Sequence, residues 1–135
     1  MRTSPKQITI TTLKKPLNVS LNEELKWFGS SLGLLSERDK DSSMFRVFIE
    51  LVKSTKKHTA LTSEQISLTV GLTRGAVIRH LKKLTNAGMV VHEGRRYSLR
   101  DDNLARLMEE LKKDINRSLD DLHTVAQEID AQLGM

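Results

Sequence analysis

A chain of 135 residues has room for one domain plus an extension, and with only 4% aromatic residues its core must be filled by Leu, Ile and Val. The absence of cysteine excludes a disulfide framework, a thiolate metal site and a cysteine nucleophile. No apolar run reaches membrane-spanning length and no signal-peptide core is visible, so the expectation is a cytoplasmic protein with no membrane partner. The net charge of +5 conceals a division: residues 1–100 hold 18 Lys and Arg against 8 Asp and Glu, whereas residues 101–135 hold 4 against 9. A basic body with an acidic tail fits one part meeting a polyanion while the other does something else.

The first 20 residues are polar and basic. Gln7-Ile8-Thr9-Ile10-Thr11-Thr12-Leu13 alternates with a period of two, which reads as a short strand between Pro5 and Pro16; a disordered basic arm is the alternative. Ser20-Leu21-Asn22-Glu23 has the form of a capping box, and Leu21, Leu25, Phe28 and Leu32 follow at helical spacing with Trp27 alongside. Gly29 and Gly33 weaken the far end of that helix, and Ser36 to Lys40 read as a charged loop.

From Asp41 the punctuation becomes regular. Asp41 or Ser42 caps a helix with the wide apolar stripe Met44, Phe45, Val47, Phe48, Ile49, Leu51 and Val52, which gives way to a basic loop from Lys53 to His58. Thr62-Ser63-Glu64-Gln65 is a second capping box, opening a short helix with Ile66 and Leu68 that Gly71 ends. Thr73 caps the next helix, which runs to about Ala87 with Gly88 just past its end. Met89 to Glu93 and Arg96 to Arg100 are β-prone runs joined across Gly94-Arg95, a hairpin signal. Asp101-Asp102-Asn103 then caps one long helix to the end of the chain.

This order predicts a mainly α fold with a small β-hairpin wing. It is a winged helix-turn-helix over 41–100, preceded by an arm and short helix over 1–40 and followed by a dimerisation helix over 101–135. The helix over 73–87 has two faces. Val77, Leu81 and Leu84 form the buried stripe; Gly75, Arg79 and Lys82 lie opposite, with Ile78 and Lys83 at the flanks and Arg74 in the first turn. The segment from Thr73 to Ala87 holds four basic residues and no acidic one, whereas a solvated face usually mixes both signs. Arg can donate two hydrogen bonds to guanine in the major groove, and Lys neutralises phosphate. The candidate DNA-contacting set is Thr73, Arg74, Gly75, Ile78, Arg79, Lys82 and Lys83 on this helix, with Arg95 and Arg96 on the wing over 89–100 reaching the backbone or minor groove. Arg100 adds to the charge of the hairpin.

The segment Gly71 to Val91 resembles the recognition-helix region of ArsR-like and MarR-like regulators. The resemblance lies in a Val and two Leu at core positions, His80-Leu81 in mid-helix, and Ala87-Gly88 before an apolar strand. It covers roughly residues 41–100 and is closest to the archaeal ArsR-like type, in which a long C-terminal helix follows the wing. The resemblance implies a homodimeric transcriptional regulator that binds double-stranded DNA. The metal-sensing members use paired Cys, or Asp and His pairs on the last helix; this chain has no Cys, and His123 near Asp120 and Asp121 is all that stands there. No metal or other cofactor is therefore expected, and an unidentified effector remains open.

In the last helix Leu104, Met108, Leu111, Ile115, Leu119, Leu122, Val125 and Ile129 make a narrow apolar stripe, with 108, 115, 122 and 129 in strict seven-residue repeat. A body of about 100 residues cannot cover such a helix along its whole length, so these eight residues are the candidate dimer interface, a coiled-coil seam; the alternative is that the helix folds back on its own domain, which could cover its first two or three turns. His80 reads as a partly buried packing residue, and nothing in the sequence has the form of a catalytic grouping, so an enzyme is not expected. Two other functions compete: an architectural or nucleoid protein with little sequence preference, and a winged helix used for protein contact.

Overall fold

A computed structural model of the chain describes residues 7–15, 17, 20–35 and 42–135. The Pro5, Pro16 and Asp41 readings and the loop over 36–40 lie outside them. The elements run α1 (Leu21–Ser31), α2 (Ser43–Lys56), β1 (Leu61–Thr62), α3 (Ser63–Val70), α4 (Arg74–Asn86), β2 (Val90–Glu93), β3 (Arg96–Leu99) and α5 (Leu104–Leu133). The antiparallel sheet has the order β1-β3-β2, so the wing is three-stranded where the sequence pointed to a hairpin alone. Register is set by Glu93 opposite Arg96 and Val90 opposite Leu99, and β1 adds Leu61 opposite Tyr97.

Most helix starts follow from local side-chain chemistry. Thr62 and Gln65 make the reciprocal capping box, with bonds of 3.1 Å and 2.9 Å. Ser20, Thr73 and Asn103 each accept the amide three residues on, at 3.2, 3.2 and 2.9 Å. At α2, by contrast, Ser42 is the N-cap with a φ of 53° and its hydroxyl makes no capping bond. That helix also continues through Lys56, four residues beyond its apolar stripe. Tertiary partners hold the extra turn: Ser54 is buried, and the Thr55 hydroxyl accepts the Leu99 amide at 3.0 Å.

The core gathers Val47, Phe48 and Leu51 of α2, Ile66 of α3, Val77, Leu81 and Leu84 of α4, Met89, Val90 and Leu99 of the wing, and Leu107 and Leu111 of α5. Leu32 and Leu34, just after α1, complete it, and Phe28 stacks on Phe48 with ring centroids 6.5 Å apart. Gly29 is buried in α1 because a Cβ there would come within 2.7 Å of the Phe45 ring, so this glycine serves close packing rather than helix termination. The expected strand over 7–13 does not form. Residues 7–15 run without regular structure, tied down at single points by Gln7 N–H to the Asn86 carbonyl (3.1 Å), Thr11 N–H to the Ser31 carbonyl (2.8 Å) and Trp27 Nε1 to the Leu13 carbonyl (3.4 Å).

Candidate nucleic-acid interface

Helix α4 is held by its buried side. Val77, Leu81 and Leu84 are at most 1% exposed, and His80, also buried, lies with Nε2 2.9 Å from the Ser43 hydroxyl at the start of α2. Arg46 of α2 donates from Nη1 to the Val70 carbonyl at 2.7 Å, and the Ser67 hydroxyl donates to the Leu72 carbonyl, fixing the turn between α3 and α4. Gly71 adopts the left-handed conformation, φ 70°, that this turn requires.

With that side fixed, Thr73, Arg74, Gly75, Ile78, Arg79 and Lys82 are exposed on one continuous surface. Among the described residues nothing beyond its own helix backbone and chain neighbours comes within 4 Å of the Cβ position at Gly75, so the backbone there is open to a close neighbour. Lys83 is exposed too, but it is turned by about 100° from Lys82. It borders a different pocket, under the arm, with Gln7, Thr9, Leu34 and Met44.

The wing stands beside this surface. Gly94, with φ 61°, makes the tight turn and leaves Arg95 exposed at the tip. Arg96 is exposed but donates from Nη1 to the Ala60 carbonyl at 3.2 Å, which ties it to the strand-β1 side of the sheet. Between wing and helix runs a shallow cleft lined by Ile78, Lys82, Thr85, Asn86, His92 and Tyr97. The His92 and Tyr97 rings face each other across the hairpin at 5.5 Å, and His92 Nδ1 lies 3.2 Å from the Gly94 carbonyl. The sequence reading did not single out Tyr97 or His92 for this place. Their cross-strand pairing was the available signal, since it puts both side chains on one face of the hairpin.

Arg100 does not share the role of the other wing arginines. Its side chain is 6% exposed and pairs with Asp114 of α5 at 2.5 Å, with Glu110 lying 3.8 Å away. Asp114, 3% exposed, also binds Arg117, and Arg100 Nη1 lies 3.4 Å from the Gly88 carbonyl. This buried ionic group joins the end of the wing to α5.

Of the residues expected in a dimer seam, Leu111 is fully buried inside its own chain, and Leu104 and Met108 pack on the same core. Leu107, not among those expected, is fully buried as well. Beyond Ile115 the situation reverses: Leu119, Leu122, Val125 and Ile129 are 55%, 65%, 49% and 51% exposed. Among the described residues no group of three or more His, Asp or Glu side chains gathers to hold a metal ion, and no helix is long and apolar enough to cross a membrane.

Residues 50–91 match the family model of bacterial regulatory proteins of the arsR family. No curated protein and no solved structure matches the chain. The matched span runs from the second half of α2 through α3 and α4 into β2, which is the helix-turn-helix with the first strand of the wing hairpin. The chain thus carries a winged helix-turn-helix of the arsR type, a DNA-binding module of transcription regulation.

Proposed function

We propose that the protein is a homodimeric, sequence-specific transcriptional regulator that places α4 in the major groove and its wing on the adjacent backbone or minor groove. The observation that carries this reading is the exposed face of α4. Arg74, Arg79 and Lys82 surround an open Gly75 there, with no acidic residue anywhere in the helix, on a helix whose other side is locked into the core. Arg79 and Arg74 read base edges, Thr73 and Lys82 contact phosphate, and Ile78 meets a thymine methyl. Arg95 at the wing tip contacts the backbone, Arg96 assists from beside it, and Lys83 takes a peripheral phosphate.

The division of labour follows. Residues 41–100 carry the DNA contacts, residues 101–135 join two subunits through the exposed half of α5, and Gln7 of the arm braces the end of α4. The acidic balance of residues 101–135 keeps that part off the duplex. Two copies related by a dyad then read half-sites about one helical turn apart.

Selection of bound fragments from genomic DNA tests this, followed by titration of selected and random duplexes at one salt concentration. The expected result is a dyad-symmetric motif bound about 10³-fold or more tightly than random duplex. A ratio near one would leave a DNA-coating protein, and absence of salt-sensitive binding would leave a protein-contact module.

A further inference from the structure

The cleft between α4 and the wing has one titratable wall. Ile78, Lys82, Thr85 and Asn86 follow at spacings of three and four along α4 and line one side. His92 and Tyr97, opposite each other on β2 and β3, line the other. Among the described residues no acidic side chain lines it. The Thr85 hydroxyl donates to the Leu81 carbonyl at 2.8 Å, so its proton is already engaged. His92 is exposed, and its Nδ1 lies 3.2 Å from the Gly94 carbonyl. A carbonyl oxygen only accepts, so this contact assigns the ring proton to Nδ1. The neutral ring then presents a lone pair at Nε2, and protonation replaces it with an N–H donor and a positive charge.

Resting on the reading that α4 enters the major groove with the wing beside it, we infer that this cleft seats one phosphate of the strand between the two grooves, bound by His92 as the imidazolium and by Lys82. The duplex itself requires the crossing. A major groove and the minor groove next to it are separated by a single sugar-phosphate strand. A protein with a helix in one and a hairpin at the other must therefore pass that strand between them. A phosphodiester carries anionic oxygens and no proton to donate, so it can use Nε2 only as a donor. Asn86 and Tyr97 bring a further amide and hydroxyl to the same cleft.

The groups around His92 make the phosphate the anion that its charge meets. From α4 comes Lys82; from β3 comes Tyr97, with ring centroids 5.5 Å apart. Arg95 follows in the turn. Glu93, the next residue on β2, lies opposite Arg96, and neighbouring residues of a strand point to opposite faces of the hairpin. Seating the phosphate thus favours the imidazolium, and binding takes up a proton. The sign follows: affinity for DNA rises as pH falls through the range in which an imidazole gains its charge, roughly pH 8 to 5.

Titration of the selected duplex at about pH 6 and about pH 8, at one ionic strength, tests this in the full chain. The parent is expected to bind about tenfold more tightly at the lower pH. His92→Gln can still hydrogen-bond but gains no proton there, so its affinities at the two pH values should agree within about twofold. His58, His80 and His123 remain in that variant, so a pH dependence that survives it belongs to one of them and overturns the assignment to His92. A parent with no pH dependence overturns it as well. Duplexes with one neutral methylphosphonate at successive backbone positions of the half-site then locate the phosphate. At one position, on the strand between the grooves, the substitution should abolish the pH dependence. Elsewhere it should lower affinity equally at both pH values. If no single position behaves so, the cleft is not the seat, although the regulator reading stands. Absence of DNA binding at either pH removes that reading, and this inference with it.

Discussion

Helices α4 and α5 each carry an apolar stripe and a charged remainder, yet only one of them is complete within a single chain. In α4 the whole stripe is buried, and what stays outside is Arg74, Arg79, Lys82 and Lys83. In α5 the stripe is buried only as far as Asp114, and beyond Ile115 its leucines and isoleucine face outward along with acidic residues. A charged face is well solvated, so exposure of α4 needs no partner for stability, and its single sign is the feature that the proposed DNA contact uses. A continuous apolar row on a projecting helix is the opposite case, since it demands cover. Under the proposed function one helix serves recognition and the other assembly, and substitutions can tell the two apart.

The largest effect is expected at the joint where α5 leaves the body. Asp114→Ala removes the nearest partner of the Arg100 guanidinium in a nearly dry site and leaves it Glu110 at 3.8 Å and the Gly88 carbonyl at 3.4 Å; breaking a buried pair of this kind costs up to about 3–5 kcal/mol. Urea unfolding measures it. Replacing both partners with apolar residues, Arg100→Met with Asp114→Leu, should recover most of the loss, because the pair's own desolvation cost disappears with it. A loss below about 1 kcal/mol in Asp114→Ala, persisting when Glu110→Ala is added, would mean that water reaches Arg100 and that the joint is looser than the geometry implies.

Next comes a pair of leucines on one helix. Leu107→Ala should lower stability by about 2–5 kcal/mol at any protein concentration, since that side chain is fully buried in its own chain. Leu122→Ala should do so only through dimerisation, so that Tm falls mainly at low concentration. Equal, concentration-independent losses at both positions would erase the distinction between the two halves of α5.

How far these assignments could be read without coordinates depends on the range of the interaction behind them. The caps at Ser20, Thr62, Thr73 and Asn103 were legible because each is a bond across three residues, and so was the Gly94-Arg95 turn. The face of α4 was legible because a helix with its stripe buried fixes the direction of everything else. Arg100 was not, because its role is set by Asp114, a residue 14 positions away on another element. For the same reason Leu111 looked like seam: stripe and seam are both apolar, and only the packing of α5 on the body separates them. Strand β1 is two residues long and carries no pattern of its own; it exists because β3 offers an edge to Leu61 and Thr62. The strand expected over 7–13 failed on the same ground, since its alternation found no sheet edge to pair with.

On the recognition side the expected effects are smaller and leave folding untouched. Arg79→Ala should cost about 1–3 kcal/mol in binding to the selected site and much less on random duplex, so the specificity ratio falls. Its unfolding midpoint should match that of the parent, because Arg79 is exposed and its helix is held from the other side. If binding to the selected site is unchanged, α4 does not read bases through this residue.

Arg95 at the wing tip should behave differently from Arg79, although both are exposed arginines of the same surface. The tip is an exposed turn, so it can follow the phosphate backbone but cannot hold the geometry that a bidentate base contact needs. Arg95→Ala is therefore expected to weaken selected and random duplexes by similar factors. It should also reduce the slope of log affinity against log salt by about one for each wing that contacts a phosphate. The comparison with Arg96→Ala refines the point, because Arg96 already donates to the Ala60 carbonyl and has less freedom to move toward DNA. A smaller change in salt slope for Arg96→Ala than for Arg95→Ala is the expected order. If the order is reversed, the guanidinium that leaves the protein for the duplex is the tethered one, and the β1 edge rather than the turn is the part of the wing that meets DNA.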